Sequence, residues 1–319
     1  MSGTGPRMVA LTGGVGGAKL VRGLAAVSRK EDLLVVANTA DDFVHLGLHI
    51  SPDIDSILYS LAGVADPERG WGRANESWSF MNTLSSLGGP DWFRLGDRDL
   101  AMHVIRTARI RAGETLSEVT SELARRLEVS VQVVPMSDDP VRTVLHTDAG
   151  TLSFQEYFVQ HGCRPRVLRL EYQGAIGASP SPALEHAMRG NSVGIVVLCP
   201  SNPYLSLDPI LSVPGVRAWL EGTPAEVIAI SPIIGGSALK GPAAKLLQEL
   251  ANESSALSVA RHYRGLVDRF VIDQEDASLA ADIEKLGMEV GVARTLMRTD
   301  GDRRRLASLV VEAAADCSG

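Results

Sequence analysis

The sequence predicts an α/β fold: a Rossmann-like, doubly wound, mostly parallel sheet with an inserted β-hairpin and additional helices. Three observations carry this expectation. Apolar segments of strand length recur at 8–12, 33–38, 131–134, 167–170, 193–198, 226–230 and 269–273. Several are separated by helical periodicity, as in LSEVTSELARRLEV at 116–129. Strands that alternate with helices form parallel sheets covered on both faces. The third observation is LTGGVGGAKL at 11–20, a glycine-rich junction between the first strand-like and the first helix-like segment, where doubly wound folds meet phosphate.

Taken in order, MVALT (8–12) reads as a buried strand, GAKLVRGLAAVS (17–28) as a helix and LLVVAN (33–38) as a second strand, a βαβ opening. Thr115 and Glu118 have the spacing of a capping box and start the helix that follows them. In RTVLHTDAGTLSFQEYFV (142–159), two alternating segments flank Asp148-Ala149-Gly150 and predict a β-hairpin inserted in the α/β pattern. No repeat or low-complexity linker interrupts the chain, so a single large α/β domain over 1–319 is expected, with an inserted subregion around 142–159.

Composition narrows the function. With 45% hydrophobic and 22% charged residues the 319-residue chain can bury a sizeable core. A net charge of −7 with no local basic patch argues against a nucleic-acid partner and leaves small molecules. Cys163, Cys199 and Cys317 are odd in number and far apart, so neither a disulfide framework nor a zinc site is expected, which fits a reducing cytoplasm. The apolar N-terminal stretch is broken by glycines, and VGIVVLC (193–199) is only strand length, so no membrane span or targeting segment is read.

Two clusters carry the chemistry. Gly13, Gly14, Gly16 and Gly17 would let backbone N–H groups approach phosphate oxygens at a helix start, with Lys19 adding a charge. The alternative is a tight turn whose glycines serve packing alone. A Walker A loop is excluded, because Leu20 stands where its Ser or Thr belongs. The second cluster, Asp41, Asp42, Asp53 and Asp55, follows the second strand. Two or more of these carboxylates could hold Mg²⁺ against a phosphate; equally, Asp53 could cap a helix while Asp41 and Asp42 make turn hydrogen bonds.

Later loops repeat this logic. Ser201 and Asn202 offer hydroxyl and amide groups, and Gly235, Gly236, Lys240 and Gly241 form another glycine-lysine segment. Asp97 reads as a helix N-cap, and Arg94 is left open between solvent and ligand. His45, His49, His103 and His146 are not grouped at metal-ligand spacing, so structural or supporting roles are expected.

In order and spacing, GGVGGAK, NTADD, SPDIDS, WFRLGDRDLA, PMSDDPVRT, FQEYFV, PSNPYLSLDPIL and SPIIGGSALKGPAAKL together resemble the 2-phospho-L-lactate transferase family of coenzyme F420 biosynthesis. The resemblance implies a Mg²⁺-dependent transfer of a phospho-acyl group from an acid-diphospho-guanosine to the ribityl hydroxyl of the deazaflavin Fo, with release of GMP. It further implies that Asp55 and Arg94 contact Fo, and that the glycine loop, Lys19, Ser201 and Asn202 lie on the guanosine-diphosphate side. Asp41, Asp42 and Asp55 match the metal site, with Asp42 or Asp55 as base. GWGRANESWSF (70–80) is assigned no catalytic role. A homodimer is expected. A related nucleotide- or nucleotide-sugar-binding regulator is the rival reading. A nicotinamide oxidoreductase ranks lowest, since Asn38 ends the second strand where the ribose-binding acid belongs.

Overall fold

The computed structural model describes residues 5–238 and 242–315. Lys240, Gly241 and Cys317 therefore lie outside the described residues. Seven strands form the central sheet: β1 (Met8–Thr12), β2 (Leu33–Ala37), β3 (Gln132–Pro135), β4 (Ile195–Leu198), β5 (Glu226–Ile230), β6 (Arg269–Asp273) and β7 (Glu289–Ala293). Their order is β3-β2-β1-β4-β5-β6-β7, and every neighbouring pair is parallel. The order reverses between β1 and β4. At such a point adjacent crossovers leave in opposite directions and open a crevice beyond the carboxyl ends of the strands.

Period two along each strand divides the core. Val9 and Leu11 of β1 join Leu34, Val36, Val196 and Leu198 on one face, while Met8 and Ala10 join Leu33, Val35, Ala37 and Val197 on the other. Both faces are covered, so the strands read as unbroken apolar runs rather than as alternations. Four helices matter below: α1 (Gly14–Val27), α2 (Pro52–Leu61), α3 (Asp97–Arg111) and α4 (Asp300–Ala315). No helix among the described residues is long and apolar enough to cross a membrane.

The expected hairpin forms, with Arg142–Thr147 antiparallel to Gly150–Ser153. Three features differ from the sequence expectation. The apolar segment at 167–170 belongs to a strand, Val167–Gln173, that pairs antiparallel with Arg142–Thr147 instead of joining the parallel sheet, because an apolar run does not encode its partner. FQEYFV does not extend the hairpin; Glu156–Gln160 winds as a π-helical turn. Helix α1 begins at Gly14, so three of the four loop glycines sit in its first turn. Not anticipated from the sequence are the half-exposed β7, the pairing of Ile233–Ile234 with Ser237–Ala238, and a hairpin of Phe43–His45 with Leu48–Ile50. That hairpin turns through Leu46 and Gly47 at φ 52° and 74°, the left-handed pair of a type I′ turn.

Candidate active site

The crevice at the β1/β4 reversal is a cleft of about 780 Å³. Its floor is made by the loops that follow these two strands. Gly13 N–H donates to Ser201 Oγ at 3.2 Å, and the same hydroxyl donates to Gly13 O at 2.9 Å. The packing alternative holds for part of the glycine loop. A Cβ on Gly17 would lie 1.9 Å from Thr12 Oγ1, and one on Gly16 would lie 2.6 Å from the Pro200 carbonyl. Gly14 differs: its φ of +40° disfavours a side chain, and it lines the cleft with Gly13, Gly16 and Lys19. Helix α1 carries no side-chain cap and no acidic residue in its first turn. Its N-terminal amides and dipole favour an anion there. Asn202 lines the same end; its Oδ1 accepts from Tyr204 and Leu205 N–H groups, while its buried Nδ2 has no hydrogen-bond partner.

The four aspartates of the second cluster are all buried, but they divide. Asp41, Asp53 and Asp55 line the cleft; Asp42 is not among the lining residues. Asp42 Oδ2 accepts from Ser51 Oγ at 2.7 Å and contacts His49 Nε2 at 3.1 Å, which ties the two open ends of the Phe43–Ile50 hairpin together. Asp53 does not cap α2, whose N-cap is Ser51. It stands in the first turn and accepts from Asn38 Nδ2 at 2.9 Å. Burial pushes the Asp53 carboxyl up to about 7, against the pull of its bonds from Asn38 and the Gly14 N–H. Burial, then the neighbouring charges of Asp53 and Asp42, raise Asp41 well above the usual carboxylate range. Asp41 Oδ1 is buried without a hydrogen-bond partner.

Asp55 lines the same cleft. Its carboxylate is gripped by the fully buried Arg106 of α3, with NH1 3.1 Å from Oδ2 and NH2 on Oδ1. Burial still raises Asp55 above its ordinary value, although Arg106 and His103 oppose the shift. One turn earlier on α3, Asp99 also lines the cleft and accepts the Tyr59 hydroxyl at 2.5 Å. Asp97 does not cap its own helix. It accepts from Ser79 and Phe80 N–H groups and so caps the helix Ser79–Ser86, while Glu76 accepts from Arg98 and Asp99 N–H groups. This exchange locks the start of α3 and with it Asp99.

The cleft lining is rich in aromatic rings: Tyr59, Trp71, Trp92, Phe93, Phe154 and Phe158. Arg94 also lines the cleft, and its guanidinium lies 4.6 Å from the Trp78 ring centroid, within cation–π range. The segment 70–80, given no role from sequence, thus contributes Gly70, Trp71 and Gly72 to the wall. The residues that the sequence left unnamed here, Arg106, Asp99, Tyr59 and the aromatics, sit on several elements, so no local motif joins them. Among the described residues, the group of three acidic or histidine side chains able to share a cation is Asp55, Asp99 and His103, all within 4.8 Å. His103 therefore does stand among carboxylates, although the Arg106 guanidinium already supplies Asp55 with its positive charge.

Similarity to known proteins follows the same course. Residues 8–313 match the family described as 2-phospho-L-lactate transferase CofD. The chain is 39% identical over 302 residues to a phosphoenolpyruvate transferase of Streptomyces griseus, covering 93% of this chain and 94% of that protein. It is 38% identical over 304 residues to a 2-phospho-L-lactate transferase of Methanosarcina acetivorans, covering 95% and 98%. A crystal structure of a Bacillus halodurans protein superposes with a TM-score of 0.65 over 96% of this chain and 99% of that one, at 16% identity, a likeness of fold. With the family match spanning nearly every strand and helix around the cleft, the chain belongs to the 2-phospho-L-lactate transferase CofD family, transferases of coenzyme F420 biosynthesis.

Proposed function

We propose that the chain transfers a phospho-acyl group (2-phospholactyl, enolpyruvyl phosphate or 3-phosphoglyceryl) from an acid-diphospho-5'-guanosine to the ribityl hydroxyl of Fo, releasing GMP. The observation that carries this reading is the mixed lining of the cleft, which combines helix-start glycines, Lys19, Ser201 and Asn202 with aromatic rings, Asp55 and Arg94, and with Asp41 and Asp53. A diphosphate suits the first group of residues and a planar tricyclic ring the aromatic one. The acceptor oxygen forms a bond to the phosphorus that bears the acid, the bond from that phosphorus to the GMP oxygen breaks, and the hydroxyl proton passes to a carboxylate. Asp55 is better placed for that proton than Asp42, because Asp55 lines the cleft and Asp42 does not. The rest of the task is holding two substrates in line.

The donor set fits Mg²⁺. Asp41 offers a buried oxygen without a partner and Asp53 a second carboxylate, and Mg²⁺ is commonly bound by one or two carboxylates together with substrate phosphates. When bound, the ion would neutralise phosphate charge and favour the ionised form of the two carboxyls that burial raises. Purified protein incubated with Fo, Mg²⁺ and each of the three donors in turn, with mass detection of the deazaflavin product, tests the assignment. Binding of guanosine nucleotides without turnover of any donor would replace it by the regulatory reading. Relatives named for two different acids match this chain almost equally well, so the donor panel also decides the acid. The expected homodimer is checked on the same preparation by light scattering.

Lys19 gives a narrower test. Lys19→Ala is expected to weaken GDP binding at constant Mg²⁺ by loss of a charge-assisted contact of roughly 1.5–3 kcal/mol. Unchanged affinity in a calorimetric titration would leave Lys19 with no part in holding the diphosphate.

A further inference from the structure

Beside the cleft, α3 carries three polar residues on one face: Asp99, His103 and Arg106, of which the first two line it. Arg106 NH1 lies 3.1 Å from Asp55 Oδ2 and 3.2 Å from His103 Nδ1. A guanidinium has hydrogens to donate and no acceptor, so His103 Nδ1 must be the accepting nitrogen. In the neutral ring the proton then stands on Nε2. That nitrogen lies 3.2 Å from Asp99 Oδ1, off the line of a straight hydrogen bond, and has no other partner although the residue is 1% exposed. Tyr59 donates to the same Oδ1 from α2. The Tyr59 hydroxyl from α2 and the edge of the His103 ring therefore flank one oxygen of a carboxylate that lines the cleft, within 4.8 Å of Asp55.

We infer that Asp99 is a further acceptor-side binding residue, taking a hydrogen bond from a hydroxyl of the polyol tail, and that His103 is the residue that positions it. The inference rests on the reading of the cleft lining around Asp55 as the Fo side. Two carboxylates a few ångströms apart match successive hydroxyls of an extended polyol, each of which has a proton to donate. Arg106 acts on both: its fork orients Asp55 directly, and by holding His103 Nδ1 it fixes the far edge of the ring 3.2 Å from Asp99. The arrangement gives hydroxyl-bearing ligands an advantage over a ring that lacks the tail, because each hydroxyl adds a charge-assisted hydrogen bond to a carboxylate oxygen.

The test compares wild type with Asp99→Asn and His103→Gln, measuring Fo binding by fluorescence titration without donor and the KM for each substrate. Asp99→Asn is expected to weaken Fo binding and raise the KM for Fo by about tenfold to a hundredfold, with the KM for the guanosine donor unchanged. The affinity for riboflavin-type ring analogues without the polyol tail should not move. His103→Gln should give a smaller shift of the same kind, and Tyr59→Phe, which removes one donor to Asp99 and leaves the ring, should act likewise if Asp99→Asn folds poorly. Wild-type Fo binding with an unchanged constant in Asp99→Asn, or equal loss for tail-less analogues, overturns this inference alone. Failure of the wild type to bind Fo overturns the acceptor reading and this inference together.

Discussion

Asp55→Ala is expected to lose turnover by about 10²–10⁴-fold, the range for a removed acid or base, and also to lose stability. The second effect follows from Arg106. The guanidinium is fully buried against Asp55, and removing one partner of a buried pair strands the other at a cost of about 3–5 kcal/mol. Sequence alone suggests a loop or helix-start carboxylate whose loss would spare the fold; the ion pair with α3 reverses that expectation. The two effects separate in a double variant. Replacing Asp55 by alanine and Arg106 by methionine together removes the stranded charge, so urea midpoints should recover much of the loss while turnover stays absent. Recovered turnover in the double variant would remove Asp55 from the chemistry, and an Asp55→Ala protein as stable as wild type would show that the pair contributes nothing net.

Metal removal has the second large effect. EDTA should abolish turnover and excess Mg²⁺ should restore it, and calorimetry should find Mg²⁺ bound weakly by the free protein but tightly with GDP, whose phosphates complete its shell. Full turnover in EDTA, or equal metal affinity with and without GDP, would sink the bridging-metal reading. The pH dependence has a defined sign. Asp53 titrates at about 7 in the folded chain against an ordinary value near ~3.9. Between these values the folded state holds a proton that the unfolded state lacks, a contribution fully present below the lower value and lost as pH rises through the upper one. Metal-free protein should therefore melt at a lower temperature at pH 8 than at pH 5. If Mg²⁺ with GDP takes the ionised carboxylates, it should narrow that difference and itself bind more tightly as pH rises through 7. A melting temperature that rises from pH 5 to 8 in EDTA would contradict the raised Asp53 carboxyl.

Much of the frame was legible because its causes are local. The run MVALT, the glycine junction and the helix after it are neighbours in sequence, and the capping box at Thr115 and Glu118 forms with both hydrogen bonds in place. The hairpin turn at Asp148-Ala149-Gly150 likewise depends on a few adjacent dihedrals. Where a partner had to be chosen at a distance, the sequence was silent. Val167–Gln173 is as apolar at its start as a sheet strand, yet it pairs with the hairpin.

The site divides in the same way. The sequence by itself determined which residue types are available: glycines at a helix start, a lysine in its first turns, four aspartates after the second strand, and the register of motifs that marks the family. Only the tertiary structure decided their parts. It turned Asp41 and Asp53 to the cleft and Asp42 to Ser51 and His49, and it set Gly17 against Thr12 rather than open space. It also brought Arg106 to Asp55 across 51 positions of chain. The physical reason is that turns and caps are stabilised by groups a few residues apart. Burial, the pairing of charges and the shape of a cleft depend on which helices the sheet order places side by side, and that order is a property of the whole fold.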